Sequence, residues 1–224
     1  MPVVFLTKTK EDQLPERRNL DFYPAEITLV QETVKILAES IKDQFIKRII
    51  DPGAGDGRWG LEALKQWPEA ELVCVDIDPE KEPEDFPGRW VVADFRALTV
   101  EEFGQFDLVI GNPPYGEYIE GRELPKPCVE EFVAHACSLL ANNGHLAYLL
   151  KRSFGCGVNR RKGFFPKYPI YREHPCARRP SFYGGRTNTD SYSIFRWAKN
   201  DFGNMLGIEG VWLTCPMLHK RVKP

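Results

Sequence analysis

The sequence predicts an α/β protein: one doubly wound, mostly parallel sheet with helices on both faces and an antiparallel hairpin at one edge. Three observations carry this. Short apolar runs alternate with helically periodic segments, joined by few residues. The runs are nearly continuous rather than alternating, as in strands buried on both faces. Four of them in succession end in polar residues, which sets a row of polar groups along one end of the sheet.

Residues 1–20 read as a polar, charged arm. "AEITLVQETVKILAESI" then places Ile27, Val30, Val34, Ile36, Leu37 and Ile41 at helical spacing. "FIKRIID" (45–51) is a first strand, "DPGAGDG" a turn, and "RWGLEALKQW" a helix closed by Pro68. "ELVCVDID", "RWVVADF" and "FDLVIGN" are strands two to four, with "LTVEEFG" the one brief helix before the fourth. "CVEEFVAHACSLLANNG" is a helix stopped by Asn143-Gly144, and "HLAYLL" is the fifth strand. Residues 151–180 read as a basic loop. "PSFYGGRTNTDSYSIFRWAK" reads as two extended pieces around a turn, which brings the sheet to seven strands. Residues 21–200 thus make one domain and 201–224 a tail, with no separate recognition domain.

The 224 residues are 42% hydrophobic and 28% charged, ordinary for a soluble globular chain. No apolar run approaches the roughly 20 residues of a membrane span. "MPVVFLTKTKEDQ" lacks the basic lead-in and apolar core of a signal peptide, so a cytoplasmic location is expected. Six cysteines show no CxxC pair; Cys74 and Cys137 read as core thiols, and no metal is expected.

The net charge of −2 hides an asymmetry. Residues 151–196 hold eleven Lys/Arg and two Asp/Glu, whereas the rest of the chain holds 19 and 30. Phe154, Phe164, Phe165, Tyr168, Tyr171, Phe182 and Tyr183 are interleaved with these cations. Cations with aromatic faces suit a polyanion with stackable bases. The alternative is a solvated basic surface over buried rings. On the first reading Lys151, Arg152, Arg178 and Arg179 contact nucleic acid.

"DLVIGNPPYGEY" (107–118) runs from a strand straight into tandem prolines. Proline fixes φ, lacks a donor and holds the preceding residue extended, so Asn112 and Pro113 present a stiff rack of acceptors. Gly53, Gly55 and Gly57 follow the first strand, where glycine permits a tight turn and close ligand approach. Such a loop also fits dinucleotides. Asp51 and Asp56, however, argue against a pyrophosphate and for a ligand carrying positive charge. Asp76 ends strand two about 20 residues on, where an acid binds ribose hydroxyls. Asp94-Phe95 ends strand three. Taken singly, each acid also reads as a turn or helix cap.

The ordered set "FYPAE", "DPGAGDG", "VDID", "ADF" and "NPPYG" resembles the class I S-adenosylmethionine-dependent amino-methyltransferases, especially the DNA adenine-N6 methyltransferases in gamma-type order. "RRPSFYGGRTNTDSYSIFRW" is similar to small methyltransferases of phages and mobile elements. The resemblance covers roughly residues 20 to 198 and implies a Rossmann-like fold, S-adenosyl-L-methionine as cofactor and DNA as partner. It implies that Asp51, Gly53, Ala54 and Gly55 hold the methionine end. Asp76 would hold the ribose, with Ile77 also lining the cofactor, and Asp94 the adenine amino group with Phe95 beside the ring. Tyr23 and Pro24 would close over the cofactor, which Asn112 also borders.

By the same resemblance, the Asn112 side-chain oxygen and the Pro113 carbonyl accept the two N–H bonds of an exocyclic amino group, on a turn stiffened by Pro114. Tyr115 stacks on a base extruded from the duplex, with Phe154 a candidate for its other face. A sulfonium methyl group is already reactive, so positioning and electrostatics dominate. RNA adenine and cytosine N4 offer similar amino chemistry. Protein-glutamine methyltransferases share the motif but resemble a chain with an N-terminal helical domain. A non-catalytic nucleic-acid-binding module is the reading of a different class. Only 27 residues follow Trp197, so short specificity, or a protein partner that supplies it, is expected.

Overall fold

The computed structural model describes residues 24–117, 126–183, 186–187 and 190–207. The expected arm at 1–20 and Tyr23 lie outside them. In chain order the elements are α1 (Ile27–Ser40), β1 (Arg48–Pro52), α2 (Arg58–Gln66), β2 (Glu71–Asp76), β3 (Arg89–Val92), α3 (Val100–Phe103), β4 (Phe106–Gly111), β5 (Gly116–Glu117), β6 (Lys126–Pro127) and α4 (Val129–Leu139). After them come β7 (Leu140–Lys151), β8 (Arg172–Pro175), β9 (Ser181–Tyr183), β10 (Arg186–Thr187), β11 (Tyr192–Lys199) and β12 (Met205–Leu206).

The main sheet runs β12-β11-β7-β4-β1-β2-β3, with β8 as an eighth strand on the outer side of β11. The pairs from β3 through β7 are parallel, and β11 is antiparallel to β7. The chain winds outward from β1 to β3, then returns to β4 on the other side of β1. That reversal between β1 and β4 opens a crevice at the strand ends, where ligands of such sheets bind.

Side chains alternate across the sheet, so neighbouring residues feed two cores. Ile50, Val73, Val75 and Val109 pack with Phe132, Val133 and Ala136 of α4. Ile49, Leu72, Cys74 and Ile110 pack with Val30, Val34 and Leu37 of α1 and Trp59 of α2. Ile27 and Ile36, on the same expected apolar stripe of α1, are exposed. Cys74 and Cys137 are buried free thiols. Among the described residues no helix is long and apolar enough to cross a membrane.

Three expectations need correction. The helix before β7 ends at Leu139, and Asn143 (φ 60°) falls inside β7. There the register with β4 shifts, and Gly144 packs so closely that a Cβ would meet the Phe106 carbonyl at 3.0 Å. Residues 151–180 are not all loop: they hold a π-turn at Arg160–Phe164 and the strand β8. The antiparallel edge is built by β11 against β7, while β9 and β10 form a two-stranded ladder apart from the main sheet. β12 also extends the sheet into the expected tail.

Candidate active site

The glycine loop is braced from below. The N–H groups of Gly53 and Ala54 both donate to the Val75 carbonyl (2.8 and 3.0 Å), and that of Gly55 to Asp76 Oδ2 (2.7 Å). Gly53, Gly55 and Gly57 all have φ between 60° and 73°, a region glycine enters without a Cβ penalty. Three successive amides therefore point at the neighbouring strand and offer nothing to a pyrophosphate. A ligand with positive charge fits the loop better.

Asp51 is fully buried at the end of β1. Its Oδ2 accepts from Gly60 N–H at 2.9 Å, and Oδ1 has no partner. Burial pushes this carboxyl well above the usual range, and the charges of Asp56 and Asp76 add to the effect. The absence of a side chain at Gly111 makes room for Oδ1, which a Cβ there would meet at 2.8 Å.

Asp76 caps its own turn through Asp78 N–H (3.0 Å), and Ile77 beside it is 57% exposed. Asp94 is held by Arg96, whose Nε lies 3.0 Å from Oδ1 and Nη2 2.6 Å from Oδ2. That guanidinium keeps Asp94 below the usual carboxylate range, a firm acceptor. Arg96 also pairs with Glu131 at 2.8 Å, which ties the end of β3 to α4.

The Asn-Pro-Pro-Tyr turn leaves β4 beside the glycine loop. A Cβ at Gly53 would lie 3.2 Å from Pro114 Cδ, so the two motifs touch. Pro113 is buried, and Asn112 and Pro114 are half-buried. The Cys128 thiol donates to the Pro114 carbonyl (3.2 Å) and pins the far side of the turn. The Tyr115 hydroxyl lies 2.8 Å from Asn112 Oδ1 and 3.0 Å from the Leu149 carbonyl. Burial raises this phenol well above its usual value, so it stays a neutral donor with one proton for two acceptors.

The structure thus gathers Asp51, the glycine loop, Asp76, Ile77, Asp94 and the Asn112–Tyr115 turn along the strand ends. Pro24 stands at the entry to α1, and the neighbouring Ala25 carbonyl accepts from the Arg58 guanidinium, which also pairs with Asp56. Two residues expected there turn away. Phe95 is 2% exposed and packs on Phe132 and His135. Phe154 is 5% exposed, inside a cluster with Phe165, Phe195 and Trp197. Tyr115 also differs from a free stacking face, since its hydroxyl is held inward.

The basic segment is less uniform than its composition. Lys151 pairs with Asp190 (2.6 Å), Arg152 lies 3.4 Å from Glu173, and Arg196 is buried. Arg178 and Arg179 are exposed. Sequence reasoning missed Arg58, Arg96 and Cys128. The two arginines carried a signal, because each follows a loop aspartate by two residues, in "DGR" and "DFR".

The chain belongs to the methyltransferase small domain family, whose model matches residues 28–164. It is similar to the type II methyltransferase M.CvrRI of Paramecium bursaria Chlorella virus XZ-6E, 31% identical over 51% of this chain and 33% of that protein. The ribosomal RNA small subunit methyltransferase C of Buchnera aphidicola is 26% identical over 62% of this chain and 41% of its own length. A release factor glutamine methyltransferase of Flavobacterium psychrophilum is 28% identical over 59% and 51%. The type I restriction-modification methyltransferase subunit from Streptococcus thermophilus shares the fold, with a TM-score of 0.62 at 16% identity over 80% of this chain and 45% of that one.

The chain spans between 12% and 51% of the length of these and the other curated relatives it matches. The domain has the class I methyltransferase fold, and its cofactor is S-adenosyl-L-methionine. The residues present fit that group: a buried Asp51 oxygen without a partner suits a cationic amino acid end, and exposed Ile77 suits an apolar ring face.

Proposed function

We propose that this domain methylates the exocyclic N6 amino group of adenine in DNA. The observation that carries the reading is the Asn112–Tyr115 turn fixed against the glycine loop at Gly53. In this reading Asp51 and the loop from Gly53 to Gly55 hold the methionine end of the cofactor, Asp76 its ribose, Ile77 a face of its adenine ring, and Asp94 its adenine amino group. Pro24 borders its edge. The cofactor supplies an electrophilic methyl group.

The chain's own part is positioning. An exocyclic amino group is a weak nucleophile because its lone pair is delocalised into the ring. Asn112 Oδ1 and the Pro113 carbonyl accept its two N–H bonds, which favours tetrahedral nitrogen and aims the lone pair. Asn112 Oδ1 is at present bonded to the Tyr115 hydroxyl. Donation of that single proton to Leu149 instead leaves the oxygen to the target. The prolines hold the acceptors still, and Cys128 braces the second of them. Exposed Arg152, Arg178 and Arg179 supply phosphate contacts, which fix position without reading sequence.

The test is methyl transfer from labelled S-adenosylmethionine to unmethylated duplex DNA, single-stranded DNA, RNA and a glutamine-bearing release factor. The expected result is N6-methyladenine in DNA. Asn112→Ala should lower turnover on the order of 10²–10³-fold, the cost of removing one such preorganised contact, with cofactor affinity unchanged. Label only in RNA or in the protein would replace the substrate. Unchanged turnover in Asn112→Ala would remove the catalytic role of the turn.

A further inference from the structure

Beside α4 lies a hollow of about 390 Å³, lined by none of the residues assigned above to cofactor or target. Its size falls within the roughly 300–1,000 Å³ of ligand-holding clefts. One wall is the first turn of α4, and the other is the segment from Asn159 to Tyr168. The Phe164 and Tyr168 rings, 5.0 Å apart and tilted by 38°, make an aromatic floor. The π-turn shapes this wall: Phe165 N–H bonds the Arg160 carbonyl five residues back at 2.8 Å. Such turns are frequent at functional sites.

The charge at the mouth is positive. Glu130 is taken by Arg160 (2.7 Å) and Glu131 by Arg96 (2.8 Å). Lys167 on the rim, and exposed Arg161 and Lys162 beside it, have no acidic partner among the described residues. An aromatic floor under unpaired cations suits a planar base joined to a phosphate. The location suits it too, since α4 starts immediately after Cys128, which is bonded to Pro114 of the catalytic turn.

We propose that this hollow seats a nucleotide flanking the target adenine, with its base against Phe164 and Tyr168 and its phosphate at Lys167. The inference rests on the nucleic-acid reading of the site. It assigns this domain a sequence-context preference that comes from stacking.

The experiment uses the full chain and single-stranded DNA oligonucleotides carrying one adenine, with 5-iododeoxyuridine placed at each flanking position in turn. Photo-cross-linked peptides are mapped by mass. The expected result is an adduct on Tyr168 or Phe164 from one or two positions next to the adenine. Tyr168→Ala should raise the oligonucleotide KM roughly tenfold, with cofactor affinity unchanged. Tyr168→Phe should restore it, and Lys167→Glu should also weaken binding and flatten its salt dependence. Adducts confined to other segments, or a Tyr168→Ala variant with unchanged KM and context preference, would overturn the assignment. Tyr168→Leu keeps the apolar volume and checks that any loss is not unfolding. An adduct in the hollow without methylation of DNA would uphold the hollow and sink the adenine reading, and the converse result would do the opposite.

Discussion

Two buried ionisable groups on the face of the sheet covered by α1 and α2 each keep side-chain atoms without a partner among the described residues. Asp51 at the end of β1 leaves Oδ1 unbonded, and Arg196 in the middle of β11 leaves Nε and Nη2 unbonded. Arg196 is 1% exposed; its Nη1 donates to Ser40 Oγ at 2.8 Å and its guanidinium lies 5.9 Å from the centre of the Tyr171 ring. Burial drives both toward neutrality, Asp51 well above the carboxylate range and Arg196 down to about 10, where it still carries charge at neutral pH. Their settings differ. Asp51 ends a strand at the crevice, in the field of two further acids, and a cationic ligand relieves all three. Arg196 lies under packed strands among Arg172, His145 and His174, where each charge makes the next more costly. A buried, unpaired group thus points to function where the chain leaves a route to it, and elsewhere it is a stability cost that the surrounding packing offsets.

The contrast can be broken at several points, and the largest effect is expected at Asp51. Asp51→Asn should weaken S-adenosylmethionine binding on the order of 10–100-fold, since hydrogen bonds to charged groups are worth about 1.5–3 kcal/mol. Calorimetry in buffers of different ionisation enthalpy should show more proton release on binding by the parent than by the variant. Equal affinities would leave Asp51 as a structural acid no different in kind from Arg196.

His145 gives the next effect. Burial, reinforced by Arg196, lowers its pKa from 6.5 to about 4. The unfolded chain therefore binds more protons in that window, and stability is present above pH 6.5 and lost as pH falls toward 4. A shift of this size is worth on the order of 2–3 kcal/mol. Denaturant titrations should show that loss in the parent relative to His145→Gln, whose difference from the parent is otherwise flat with pH. Parallel profiles would mean that the imidazole takes up its proton without opposition.

The smallest change is expected from Arg196→Met. Replacing an incompletely paired buried charge with an apolar chain of similar length is often neutral or stabilising. The variant should lie within about 1 kcal/mol of the parent, or above it, and His145 should titrate closer to its usual value. A loss of several kcal/mol would show that the Ser40 contact holds β11 to α1.

The parallel half of the sheet was legible because each strand is an apolar run that ends at a residue with chemistry, as at Asp51, Asp76 and Asn112. The antiparallel edge was harder. Asn143-Gly144 has the composition of a helix stop, and only tertiary pairing shows it inside a strand. β8, with the sequence Arg-Glu-His-Pro, has no apolar pattern to read. The candidate site residues were picked out by type, but the direction of a ring is set by packing. Phe95 and Phe154 face the core because Phe132, His135 and Trp197 stand behind them, and nothing local encodes that choice. The paired roles of Arg58 and Arg96 needed the same spatial information, although the spacing of each from its aspartate was in plain view.

The outer side of β11 bears on how the molecule behaves in a crowded solution. β8 covers Ser193–Arg196 and β12 covers Ala198–Lys199, so most of the outer backbone of the buried strand β11 is paired within the chain. What remains outermost is a charged four-residue strand ending in proline and a two-residue strand. The opposite margin, β3, is also only four residues long. Short, charged or proline-closed margins give a foreign strand little to template on. Among the described residues, the sheet thus offers little to a foreign strand at its sides, while the polar residues stand at its strand ends.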